Sequence, residues 1–248
     1  MANVHEYVRN PFNTIHVYGY YIRECMLEID SVELNFGVRR ILCGCYINCK
    51  PGEVVGLLGR NGSGKSCLLK IIFGILRANH KHLVVDGNIV YKGYKSGLIA
   101  YLPQNHFIAP FIKVKDVLKK AILNQPFILD NIVIQQILDQ KTGDLSSGEL
   151  RLVECIWILN HKAPYILLDE PFSGLSPLII EFLQFIIKKT GERKGIIFTD
   201  HNYRCLVQIS NRVVLLHNNS IYKIKNERDL AIYNYIPTSH ENYSDIPS

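Results

Sequence analysis

The chain has 248 residues, 48% of them apolar, and a formal net charge of +6; it is long enough to bury one full core, with little room for anything else. No run of about eighteen apolar residues occurs, which excludes a membrane-spanning helix, and seven cysteines, an odd number, read as reduced and cytosolic rather than bridged. Lys and Arg are dispersed, with only short clusters such as Lys188-Lys189 and Arg193-Lys194, so the positive balance reads as a solvated face.

In chain order, residues 1–25 show no apolar h-region after a basic start, so no secretory signal is expected. Tyr7, Phe12, Tyr18, Tyr20 and Tyr21 follow no clear period, and the segment reads as an N-terminal extension or a misplaced start codon. Strands are predicted over residues 26–34 and 41–49. In the second, Cys45, Ile47 and Cys49 alternate and fit one core face, a better account than a metal site shared with Cys43. The apolar run Val54-Val55-Gly56-Leu57-Leu58 predicts a buried strand. It leads into Gly59-Arg60-Asn61-Gly62-Ser63-Gly64-Lys65-Ser66, which fits G-x-x-x-x-G-K-[ST], and then into a helix over residues 67–73 closed by Gly74. Glycines let successive backbone N–H groups curl around a phosphate at a helix N-terminus that carries partial positive charge. Lys65 would then reach the β- and γ-phosphates, and Ser66 would ligate magnesium.

Strands are predicted over residues 83–91 and 98–102, the flanking strands forming an antiparallel subdomain around Asp86-Gly87. Residues 105–144 read as a small helical insert with helices over 114–123 and 128–138. In Leu145-Ser146-Ser147-Gly148-Glu149, Ser146 and Glu149 have capping-box spacing, so a helix running to Leu159 starts here with exposed amides that can bind an anion. Tyr165-Ile166-Leu167-Leu168 predicts a buried parallel strand whose end carries Asp169 and Glu170 to the C-terminal edge of the sheet. Two adjacent carboxylates beside a triphosphate repel it unless magnesium intervenes, so the pair argues for a metal-nucleotide site. Asp169 would bind magnesium through water and Glu170 would polarise the attacking water. Ser176 is placed as an N-cap, with Pro177 opening a helix through residue 187. Ile196-Ile197-Phe198-Thr199 reads as another strand with His201 just past its C-terminal end, and residues 226–248 turn polar and read as a tail.

This order of elements resembles the nucleotide-binding subunit of ATP-binding cassette (ABC) transporters over residues 26–225. Gly59 to Ser66 matches the family's Walker A, Gln104 in Tyr101-Leu102-Pro103-Gln104 its Q-loop, and Leu145 to Glu149 its signature. Asp169 and Glu170 match Walker B, His201 the switch histidine, and Phe36 an adenine-stacking aromatic, although Phe36 also suits ordinary core. The resemblance implies an α/β P-loop NTPase with a RecA-like parallel core, an antiparallel β subdomain and a small helical subdomain. It further implies ATP and Mg²⁺ as ligands and a head-to-tail pair of cassettes, a homodimer or a cassette-cassette dimer, in which Ser146 and Gly148 meet the γ-phosphate across the interface. By the same likeness Gln104 completes the magnesium shell, and His201 holds Glu170 and water in line. Transmembrane transporter subunits are implied as partners, with the cassette peripheral on the cytoplasmic face and no direct nucleic-acid contact expected.

Local wording around Asp169 to Pro177 and Thr199 to Arg204 is similar to the ATPases of lipopolysaccharide export and branched-chain amino-acid import. Four positions depart from the family pattern: Cys67 for threonine, Ser147 for glycine, Glu149 for glutamine and Ser176 for the D-loop aspartate. They imply slowed communication between paired sites with activity retained, and a helical insert shorter than usual implies a minimal contact with the membrane partner. Two alternatives stay open: a cassette ATPase that acts on nucleic acid or ribosomes, and a non-hydrolytic regulatory cassette.

Overall fold

Strand Thr14–Val17 (β1) pairs antiparallel with Tyr20–Arg23 (β2). The computed structural model describes the backbone of these two strands and residues 25–236. Most of the predicted N-terminal extension, Tyr7, Phe12 and Tyr18 included, and residues 237–248 of the predicted tail lie outside the described residues.

Leu27–Phe36 (β3) and Arg39–Cys49 (β4) alternate buried and exposed positions, the mark of a sheet with one face in the core. They form an antiparallel sheet in the order β4, β3, β6, β7 with His80–Val85 (β6) and Asn88–Ile89 (β7). Residues 83–91, read from sequence as one strand, are therefore a hairpin, with Val85 opposite Asn88 across a turn in which Asp86 and Gly87 both take positive φ.

Val54–Leu58 (β5) is buried at every position, as expected of a strand covered on both faces. Its neighbours run parallel: Gly195–Thr199 (β10) on one side and Arg212–His217 (β11) on the other. Beyond β10 lie Tyr165–Asp169 (β9) and Ile99–Leu102 (β8), while Ser220–Ile224 (β12) closes the opposite edge antiparallel to β11. Alternation divides these strands between two cores. Val55, Leu57 and Leu167 pack with Lys65–Phe73 (α1) and the antiparallel sheet, whereas Val54, Leu58 and Leu168 pack against helices on the other side. Those helices include Val114–Asn124 (α3), Ile132–Ile137 (α4), Ser147–Leu159 (α5) and Pro177–Gly191 (α6), with the short Gly93–Ser96 (α2) elsewhere along the chain. The α/β P-loop architecture with its antiparallel and helical subdomains is the observed one.

The predicted helix over residues 128–138 is broken into a 3₁₀ turn, Pro126–Asp130, and α4. The Asn131 side chain accepts the N–H groups of Val133 and Ile134 at 3.0 and 3.3 Å, so it caps a new helix instead of continuing the old one. Ser176 takes the N-cap position of α6, but its hydroxyl makes no capping bond; Pro177 alone presets the first turn. The predicted tail does not begin at Asn226. Asn226 caps Glu227–Ile232 (α8) through Asp229 N–H at 3.1 Å, and Leu230 and Ala231 are buried. β11, β12 and Tyr203–Ile209 (α7) were not foreseen.

Candidate active site

The C-terminal ends of β5, β9 and β10 converge, and register sets Thr199 of β10 directly beside Asp169 of β9. Asp169 is fully buried, so its carboxylate must be satisfied by neighbours. Its Oδ1 accepts the Ser66 hydroxyl at 2.9 Å and the Thr199 hydroxyl at 3.1 Å, and its Oδ2 accepts Tyr101 at 3.0 Å. Burial, followed by the Asp169 charge, pushes the Tyr101 hydroxyl far above the ordinary phenol range, so Tyr101 stays a donor.

The loop before α1 is built around Gly64, whose φ of 109° is left-handed and whose missing Cβ would lie 2.9 Å from Ile41 Cγ2. Lys65 is buried and folds back on the loop: its Nζ donates to the Gly59 carbonyl at 2.7 Å and to the Arg60 carbonyl at 3.3 Å. Burial holds its pKa below the usual lysine range, and the nearby charges of Glu170, Asp169 and Asp200 oppose that shift.

Glu170 follows with φ of 55°, a left-handed conformation that costs a non-glycine residue about 1–3 kcal/mol and persists only when its surroundings enforce it. Here they do. Its N–H donates to Thr199 O at 3.0 Å, and Arg151 donates to the carbonyls of Asp169, Glu170 (3.0 Å) and Pro103 (2.6 Å). The side chain is thereby aimed so that Oε2 accepts Gln104 Nε2 at 3.0 Å while Oε1 lies 2.8 Å from His201 Nε2. Behind it, Asp200 takes the N–H groups of Phe172 and Asn202 at 3.0 and 2.9 Å, and burial raises its carboxyl above the usual range.

In front of these groups opens a cavity of about 440 Å³. It brings together Phe36, Asn61, Gly62, Gly64, Lys65, Ser66, Cys67, Gln104, Glu170 and His201, with Asp169 beneath Ser66. Phe36, 54% exposed at the end of β3, presents a ring to this space rather than to the core. Cys67 is half-buried and burial raises its thiol above the ordinary range. Arg60 and Ser63 turn the other way. They line a separate cavity of about 300 Å³ with Arg40, His217 and Tyr235, and Arg60 Nη2 donates to Asn234 O at 2.5 Å. Asn61 and Gly62 border both spaces. Gly59 lines neither and serves through its carbonyl, while Ser146 and Gly148, at the start of α5, are absent from the cavity wall. Ser146 forms the expected capping box with Glu149.

Ser66 and Asp169 are hard oxygen donors held 2.9 Å apart, a donor set that suits magnesium. Among the described residues no cluster of three or more His, Cys, Asp or Glu side chains is placed to hold a metal, so an ion here would draw its remaining ligands from phosphate and water. Tyr101, Thr199 and Arg151, together with Arg39 in the cavity wall, belong to the site without a motif that marks them. Arg151 had a visible signal, a lone arginine in the apolar run Leu150 to Leu159; the rest depend on contacts between distant strands.

A family model described as ABC transporter matches residues 43–173. The chain is 30% identical over 202 residues to the zinc import ATP-binding protein of Anaplasma phagocytophilum (strain HZ), covering 77% of this chain and 80% of that protein. It is 28% identical over 213 residues to the lipopolysaccharide export system ATP-binding protein of Acidithiobacillus ferridurans, covering 79% and 88% respectively. A solved ATP-binding subunit of an ABC transporter shares the fold with a TM-score of 0.72 at 21% identity, over 86% of this chain and 95% of its own. No helix among the described residues is long and apolar enough to cross a membrane. Taken with the phosphate loop, the acidic pair and the fold, these likenesses mean that the chain belongs to the ABC transporter family, as its ATP-binding and ATP-hydrolysing subunit.

Proposed function

We propose that the 440 Å³ cavity binds ATP with Mg²⁺ and that Glu170 activates the water that attacks the γ-phosphate. The observation that carries this reading is the placement of Glu170, held between Gln104 at 3.0 Å and His201 at 2.8 Å and facing the Lys65-Ser66 end of the phosphate loop. Phe36 stacks on the adenine, a contact worth about 1–3 kcal/mol that needs no base-specific hydrogen bond. Lys65 leaves the Gly59 and Arg60 carbonyls for the β- and γ-phosphates, and Ser66, Asp169 and Gln104 hold the ion directly or through water. When bound, magnesium would supply the positive charge that offsets the negative charge of the phosphates. His201, on the other side of Glu170, keeps the carboxylate in line with the attacking water.

Ser146 and Gly148 complete the site from a second cassette, so two copies close head to tail over two nucleotides and reopen after hydrolysis. The cassette works on the inner face of the membrane against transmembrane subunits, which choose the cargo. The relatives named for zinc import and lipopolysaccharide export differ in cargo and direction while carrying the same kind of subunit.

Steady-state ATP turnover of the wild type and Glu170→Gln tests this. Loss of a general base lowers turnover by about 10²- to 10⁴-fold, and Glu170→Gln should retain an ATP-dependent dimer in size-exclusion chromatography. Equal turnover in both proteins would mean that Glu170 is not the group that activates water.

A further inference from the structure

Glu154, in the middle of α5, is fully buried, and a buried carboxylate is tolerated only when its oxygens are taken up. Oε1 accepts the N–H groups of Phe107 and Ile108 at 2.7 and 3.4 Å, and Oε2 lies 3.7 Å from Arg151 Nη1 and 2.9 Å from His106 Nδ1. The carboxylate accepts the Nδ1 proton of the imidazole. The other ring nitrogen, Nε2, stands 3.0 Å from the hydroxyl of Ser147 and shares a hydrogen bond with it. Ser147 is the first residue of α5, next to the cap Ser146, and stands where the family signature that Leu145 to Glu149 resembles has glycine.

We propose that His106, anchored by Glu154, is a positioning residue that makes Ser147 act as a glycine would. It draws the hydroxyl sideways onto its own ring and leaves the first amides of α5 open. The proposal rests on the reading that Ser146 and Gly148 meet the γ-phosphate held by a second cassette. Released from His106, the Ser147 hydroxyl is free to turn onto the helix amides and into the space the phosphate must enter. His106 thus offsets a departure from the family pattern, and the two positions are coupled through one hydrogen bond.

The test is a double-mutant cycle on the full chain, read by kcat and KM for ATP and by ATP-dependent dimerisation. Losing one such hydrogen bond corresponds to a change of up to about tenfold; His106→Ala is expected to lower kcat by about that factor, with KM moved less than about twofold, because ATP is first bound on the opposite face. His106→Gln, whose amide can still reach Ser147, should recover most of the loss. In a Ser147→Gly background His106→Ala should cost less than about twofold. The same loss in both backgrounds would mean that His106 is only a structural partner of Glu154, and no loss from His106→Ala in the serine background would equally overturn the idea. Should His106→Ala fail to fold, a His106→Asn variant, which keeps a donor near Glu154 but cannot reach Ser147, carries the same comparison. If the wild type hydrolyses ATP without ever pairing, the two-cassette reading itself has failed, and that is told apart because dimerisation is scored before any variant is compared.

Discussion

The phosphate-loop cleft and the start of α5 are both N-terminal ends of helices, yet they are held in opposite ways. In the cleft three charged groups are already occupied by the chain itself: Lys65 by carbonyls of its own loop, Asp169 by three hydroxyls, Glu170 by Gln104 and His201. At the start of α5 the exposed side chains are engaged by their own chain, Ser146 with Glu149 and Ser147 with His106, and the cavity wall includes neither. On the proposed reading the first region exchanges these partners for ATP. The second makes no contact with the cavity of its own chain, which is the physical ground for expecting its ligand from another copy.

Arg151 is the link between the two regions, since it lies on α5 and grips the main chain of Pro103, Asp169 and Glu170. Arg151→Met therefore has the largest expected effect. It leaves Glu154 without its cation and three carbonyls short of a donor, and losing one partner of a buried charged network costs about 3–5 kcal/mol. Urea unfolding measures this. A loss under about 1 kcal/mol would mean that the cleft and α5 are independent units, and the contrast between them would need another cause.

Asp169→Asn probes the cleft alone. The amide keeps an oxygen for Ser66 but loses the charge that an ion needs, so turnover should fall by about 10²- to 10³-fold, the size expected when a preorganised electrostatic contact is removed. Binding of a fluorescent ATP analogue without magnesium should change little, because Lys65 and the loop amides are untouched. If affinity without magnesium fell as far as turnover, Asp169 would be holding the loop in shape rather than serving an ion.

Much of the cleft was legible in the sequence because its parts are local. The glycine spacing fixes the loop, the apolar runs of β5 and β9 fix the strands, and Asp169 and Glu170 simply follow a strand end. What escaped notice was long-range. Tyr101 reaches Asp169 only because β8 pairs with β9, and His106 meets Ser147 and Glu154 across a separation that no period encodes. The hairpin of β11 and β12 was missed for a different reason. Its turn is Asn218-Asn219, both at positive φ, in place of the usual glycine pair, and only tertiary pairing to β5 reveals Arg212–His217 as a core strand. Arg60 is a motif position whose side chain is spent on Asn234, which leaves its main chain to the loop.

Gly148→Ala separates the two roles open to the start of α5 and has the smallest expected effect. A Cβ there would lie 2.7 Å from the Gly174 carbonyl oxygen, too close without a shift of the loop between Glu170 and α6. Against that strain, alanine gains up to about 1 kcal/mol of helix propensity over glycine. The helix term offsets only part of the strain against a backbone oxygen, so stability should fall by about 1 kcal/mol while the loop carrying Gly174 is displaced. If that loop and the helix amides together meet a neighbouring cassette, ATP-dependent pairing weakens severalfold in analytical ultracentrifugation although the thermal melt falls by only about 2–4 °C. Unchanged pairing would place Gly148 among residues that serve packing only, and would narrow the open face of α5 to Ser146 and Ser147.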